Sequence, residues 1–462
     1  MTKTLVLAAA AVLTLSAAHA DAPADVRAEA RQIFEDVIAF KTSEGYGQVP
    51  AMIEYLTARF RAAGFAADDI HTLPLDDTAA LVVRYRGTGK GGKPILLIAH
   101  MDVVTARAED WQRDPFKLIE ENGYFYGRGT LDIKSDVTLI TETFLRLKRE
   151  NFVPSRDLII AFSGDEEYTM KTARMLATQY RDLIDAEFAL NGDGGGGQLD
   201  EKTGGPLLYR VQGAEKSYAS FELTVHNPGG HSSQPRPDNA IYELADALKK
   251  LQAFAFPVQW NDWTVGGFRA SAAATPGPAG AAMARFAANP GDPSAAAVLS
   301  SYPMLIGRVR TTCVPTLLRG GHADNALPQS ATATVNCRIF PGTTPDEVRT
   351  TLQQVVGPDV TVQTMGQPHS SGPSPMRKDV MDAVAKALHA HYPGVPLVPD
   401  QAPYATDGSV YRGEGIPTYG VSSVFIKESD EFSHGLNERL PVQSFYNGLD
   451  YWYTIVKTLA GR

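Results

Sequence analysis

Apolar runs alternate with amphipathic stretches along this 462-residue chain. Residues 25–64 carry apolar positions at helical spacing with a break around Ser43–Pro50, which predicts helices on either side. Leu81 to Tyr85 reads as a strand. Pro94 to Ala99 is an unbroken apolar run of the kind that fills a strand covered on both faces, and it ends at His100. Asp132 opens a predicted helix reaching about Lys148. Leu158 to Phe162 reads as a second buried strand and Phe188-Ala189-Leu190 as a shorter one. Strands alternating with helices predict an α/β fold with a mixed sheet covered on both faces.

Around Gly213 the pattern changes. Tyr218 to His226 and Ala331 to Ile339 alternate as half-exposed strands, and Asn239 to Leu251 is an amphipathic helix. Thr344 followed by Glu347 is a capping-box spacing that opens another helix. Together they predict a smaller α+β domain inserted into the first. Residues 271–298, rich in Ala, Pro and Gly, read as short helices and loops within the insert. From about Ser371 the earlier pattern returns and ends in a helix from Val442. The expected division is a leader over 1–20, a main domain over 21–212 and 369–462, and the insert over 213–368. A chain this long exceeds what one core usually serves.

The leader is read from Lys3, the apolar run Leu5 to Leu15 and the small-x-small site Ala18-His19-Ala20. The run is too short to span a bilayer, so cleavage after Ala20 is expected, with no membrane attachment afterwards and a periplasmic or secreted location. The net charge is −9. This excludes a nucleic-acid partner, which would require a basic face. Two cysteines, Cys313 and Cys337, either pair in an oxidising compartment or stay buried as thiols; their spacing does not decide.

Candidate chemistry gathers at the ends of the predicted strands, where covered α/β sheets place their sites. His100 and Asp102 are two apart on an extended segment and face one way. That suits a metal-binding imidazole and a carboxylate that accepts from its other nitrogen. Glu166 and Glu167 follow a buried strand within Asp165-Glu166-Glu167, so one can bind metal while the other meets a water. Asp132 follows Gly127-Arg128-Gly129, Asp193 sits in Asn191-Gly192-Asp193-Gly194, and His434 in Ser433-His434-Gly435. Singly, these are also ordinary caps, turns and loop residues. Jointly, oxygen and nitrogen donors without thiolates suit zinc, with cobalt or manganese as alternatives.

At this point the chain resembles the M20 family of metallopeptidases and aminoacylases from about Asp25 to its C-terminus. The resemblance rests on His100-Met101-Asp102, Trp111 with Asp114-Pro115-Phe116, Gly127-Arg128-Gly129, Asp132 with Lys134, Asp165-Glu166-Glu167, Gly230-His231-Ser232-Ser233, Arg338 with Pro341-Gly342, and His434-Gly435. It implies a zinc-exopeptidase-like catalytic domain, a lid domain of the dimerisation type and two zinc ions per subunit. Asp132 would bridge them, His100 and Asp193 would complete one, and Glu167 and His434 the other. Glu166 would be the general base and Asp102 the partner of His100. From the lid, His231 would polarise the scissile carbonyl, while Asn325 and Arg338 would hold substrate. The peptide after Asp132 is expected to be cis. Asp193 stands where several members have glutamate, and the long lid segment from about Leu251 to Gly320 puts the usual homodimer in question. The implied reaction is hydrolysis of an amide next to a free carboxylate, as a carboxypeptidase or dipeptidase on short peptides. An N-acyl-amino-acid amidohydrolase is the alternative, and an inactive binding protein on the same scaffold is a third reading.

Overall fold

The computed structural model describes residues 21–461, so the leader expected over 1–20 lies outside the described residues. A ten-stranded mixed sheet forms the main body. At its centre Ile95–His100 runs parallel to Leu158–Ser163 on one side and to Phe188–Asn191 on the other. Thr418–Gly420 extends this parallel set beside Phe188–Asn191. All residues of these strands are buried. Alternation sends Ile95, Leu97 and Ala99 into one hydrophobic cluster, with Phe34, Ile140, Phe144, Phe445 and Trp452. Leu96 and Ile98 point into a second, with Ile159, Leu176, Val410 and Tyr411. Helices therefore cover both faces: Ala24–Ala39, Lys134–Arg149 and Val442–Ala460 on one, Lys171–Thr178 and Asp407–Gly413 on the other.

The strand Pro206–Glu215 of this sheet continues almost directly into Ser217–His226 of a second, four-stranded sheet, with only Lys216 between them. The smaller sheet is antiparallel and also contains Thr312–Gly320, Ser330–Ile339 and Val360–Met365. Phe221, Leu223 and Val335 pack under Leu244 and Leu352 of the helices Ala240–Ala253 and Pro345–Val356. The second helix opens on the capping box of Thr344 and Glu347. Cys313 and Cys337 are register partners on adjacent strands and are joined as a disulfide. Thr312–Gly320 is an edge strand that leaves Val314, Leu317 and Leu318 exposed.

Within the segment 213–368, the helices Asp262–Ser271, Gly277–Ala288 and Pro293–Ser300 build a cluster of their own. The first lies on the large sheet: Trp263 belongs to the main core, and a Cβ on Gly266 would lie 3.0 Å from Pro399. Among the described residues, no helix is long and apolar enough to cross a membrane.

Candidate metal centre

His100 ends its strand, the acidic turn follows Leu158–Ser163, and Asp193 follows Phe188–Asn191. Three parallel strands thus deliver their carboxyl ends to one place. Asp132 joins them from the turn before the helix Lys134–Arg149, and the Asp132–Ile133 peptide is cis. His434 arrives from the far end of the chain on a loop where its φ is +62°.

The two oxygens of Asp132 face two different imidazoles. Oδ1 lies 3.1 Å from His100 Nε2, and Oδ2 lies 3.1 Å from His434 Nε2. His434 Nε2 is 2.9 Å from Glu167 Oε2, and His100 Nε2 is 3.9 Å from Asp193 Oδ2. Donor atoms of His100, Asp132 and Glu167 lie within 4.8 Å of one another, as do those of His100, Glu166 and Asp193. The set offers imidazole and carboxylate with no thiolate, which fits zinc, cobalt or manganese.

The charges point the same way. Burial lowers the basicity of His100, but the nearby carboxylates of Asp102 and Asp132 outweigh it and hold the ring well above the usual range. His434 is raised to about 10 by its contacts with Asp132 and Glu167. Burial would raise the Asp132 carboxyl, yet both imidazoles bring it well below normal. Glu166 and Asp193 are pushed well up, by burial first and then by neighbouring carboxylates, with His100 opposing. Crowded carboxylates of this kind are relieved by cations held between them.

Two other acids hold the scaffold. Asp102 Oδ1 and Oδ2 accept from the backbone N–H groups of Glu166 at 3.1 Å and Glu167 at 2.9 Å, which locks the acidic turn. His100 Nδ1 lies 3.0 Å from the Asp102 carbonyl oxygen and 3.6 Å from its carboxylate. The nearer contact is therefore the backbone one. Glu438, fully buried, accepts from the N–H groups of Leu131 at 2.7 Å and Asp132 at 3.0 Å and pairs with Arg128 at 2.6 Å. Sequence reasoning missed Glu438 as a support; its only signal was proximity to His434.

A cavity of about 870 Å³ opens over the cluster. Asp132, Glu166, Glu167, Asp193 and His434 line it, together with Arg338, and Leu131, Ile133, Val424 and Ile426 supply an apolar wall. Arg338 reaches it from the smaller sheet; it has no carboxylate partner among the described residues and lies 5.0 Å from the Tyr218 ring. His231 and Asn325 do not line the cavity. Both are exposed: His231 lies on a two-stranded ladder opposite Ala326, and Asn325 just precedes that partner strand, where Ser232 N donates to the Asn325 carbonyl at 3.1 Å. His231 Nδ1 accepts from the Ser233 N–H at 3.1 Å. This assigns the ring proton of the neutral form to Nε2, which has no acceptor among the described residues.

A profile described as peptidase family M20/M25/M40 matches residues 96–458. An N-fatty-acyl-amino acid synthase/hydrolase PM20D1 from Xenopus tropicalis is 28% identical over 383 residues, 81% of this chain and 74% of the relative. A probable carboxypeptidase S-like 2 from Dictyostelium discoideum is 28% identical over 401 residues, 82% and 74% of the two chains. The crystal structure of an M20 family metallo-carboxypeptidase, Sso-CP2 from Sulfolobus solfataricus, superposes with a TM-score of 0.69 at 15% identity. That superposition covers 93% of this chain and 99% of the other.

Proposed function

The chain belongs to peptidase family M20/M25/M40, and from that premise we propose that it hydrolyses the amide bond next to a free carboxylate, using two divalent metal ions. The observation that carries this is Asp132 with one oxygen toward each of two imidazoles, the arrangement of a bridging carboxylate. His100 and Asp193 would hold one ion with it, Glu167 and His434 the other. When bound, the ions supply positive charge that polarises the amide carbonyl and acidifies a water.

The remaining work falls to the chain's own groups. Glu166, facing the cavity, takes a proton from the attacking water as the water oxygen bonds the carbonyl carbon. It then returns that proton to the nitrogen as the carbon–nitrogen bond breaks, leaving a carboxylic acid and an amine. Arg338, in the cavity wall and without a carboxylate partner among the described residues, suits the substrate's terminal carboxylate. His231 Nε2–H suits the developing oxyanion, which it reaches only when the lid closes.

Short peptides are one substrate class and N-acyl amino acids the other. The apolar wall of Leu131, Ile133, Val424 and Ile426, and the relative named for fatty-acyl amino acids, favour the second class. The test is to load the protein with Zn2+, Co2+ or Mn2+ and assay dipeptides and N-acyl amino acids, with chelated and C-terminally amidated controls. Cleavage of amidated substrates at undiminished rate would refute the carboxylate requirement. Protein holding two ions yet cleaving neither class would end the hydrolase proposal.

Export to the periplasm or medium is proposed from the leader, and a Cys313–Cys337 bridge accords with an oxidising compartment. A homodimer is proposed through the edge strand Thr312–Gly320. In that case Leu318→Lys should shift sedimentation from dimer to monomer, and a wild-type protein that sediments as monomer removes the proposal.

A further inference from the structure

Glu215 is the last residue of the large-sheet strand Pro206–Glu215, and it is fully buried. It does not line the cavity. Its carboxylate is nevertheless surrounded by donors. The Thr406 N–H reaches Oε2 at 2.9 Å, the Thr406 hydroxyl at 3.1 Å and Gln212 Nε2 at 3.0 Å, and the Arg412 guanidinium pairs with Oε1.

Two routes lead from these donors to Asp193. Asn191 Nδ2 donates to Thr406 Oγ1 at 3.1 Å and to the Asp193 carbonyl at 2.8 Å, while Asn191 Oδ1 accepts the Asp193 N–H at 2.9 Å. Asn191 thus clamps the backbone of Asp193 on both sides. The second route is packing: a Cβ on Gly194 would lie 2.6 Å from Gln212 Oε1, so the amide that Glu215 orients sits against the residue after Asp193. On the other side of Glu215, Lys216 Nζ donates to the Arg310 carbonyl at 2.9 Å and lies 3.3 Å from Thr312 Oγ1, where the edge strand of the smaller sheet begins.

We infer that Glu215 is a positioning residue: from the crossing between the two sheets it holds Thr406 and, through Asn191 and Gln212, the backbone that aims Asp193 into the metal centre. This rests on the metal-centre reading proposed above. It adds that the aim of one ligand is set by the residue where the lid departs.

The test uses Thr406→Val, which cuts the relay but keeps the Glu215–Arg412 pair, and Thr406→Ser, which keeps the hydroxyl. Glu215→Gln is a further variant. Chelator competition for Zn2+, the Co2+ ligand-field spectrum and the melting of metal-free protein are read together. Thr406→Val should weaken one of two ions by about 10–100-fold, the usual effect of removing an outer support. Thr406→Ser should restore it, and Glu215→Gln should weaken the same ion. If Glu215→Gln does not fold, the Thr406 pair decides. Wild-type affinity in Thr406→Val with two ions bound overturns the inference alone. Equal weakening of both ions that follows a lower metal-free melting temperature also overturns it, since the network would then be merely structural. A wild-type protein that binds no ion removes the metal-centre reading itself, and this inference with it.

Discussion

Glu166 occupies an ambiguous place, since its carboxylate lies within ligand distance of His100 and Asp193 yet is assigned the proton transfer. Glu166→Gln separates the roles. As a base, its loss should lower turnover by about 10²–10⁴-fold while two metal equivalents remain by elemental analysis. Loss of one equivalent would make it a ligand. His100, Glu166, Glu167 and Asp193 were legible in the sequence because each ends or follows a run whose apolar character betrays a buried strand, whereas Asp132 and His434 stand in a turn and a loop and were found by their motifs. Glu438, Glu215, Asn191 and Thr406 were not legible, because apolar periodicity reports burial and says nothing about which distant polar groups will pair. Glu438 meets Asp132 across 306 positions. Lys216 offers a second residue-level test. Burial first, then the Arg338 charge, lowers its ammonium to about 7. Unfolded, it titrates near about 10.4. Between those values the unfolded chain binds more protons, so stability from this group rises with pH across that window. Lys216→Met lacks this slope. Its melting temperature should exceed that of wild type most below pH 7, and the gap should shrink toward pH 10. A gap independent of pH would show that the lysine stays charged when folded.

Among the elements, the central strands and the long helices were readable because they are covered on both sides or present one apolar stripe. The strand Gly196–Leu199 was not, since its glycines carry no pattern; a Cβ on Gly197 would lie 2.2 Å from the Phe425 ring, so packing dictates its composition. Thr312–Gly320 was hidden for the opposite reason: its apolar side chains face outward on an edge. The disulfide ties that strand to its neighbour, a pairing the spacing alone left open. Reducing it, or replacing Cys337 with Ser, should cost about 3 kcal/mol of stability. Denaturant unfolding followed by hydrogen exchange should place the loss in the smaller sheet. Exchange that rises equally in the large sheet would show that the two unfold as one unit.

For the molecule as a whole, metal and fold should be linked. Stripping the ions leaves Glu166, Asp193 and their neighbours crowded without compensation. Chelated protein should therefore lose activity and melt at a lower temperature. Restoring Zn2+ at a thousandfold excess over its dissociation constant should return about 4 kcal/mol per site. Identical melting of metal-free and zinc-loaded protein would contradict the proposed centre. The interleaving of the chain carries one more consequence. His434 and Glu438 come from a part of the chain far from the groups they complete, Glu438 meeting Asp132 across 306 positions. A chain lacking residues 434–438 would keep four of the five proposed ligands but lose the fifth, together with the buried acid that fixes the turn at Asp132, and should be inactive in the same assays.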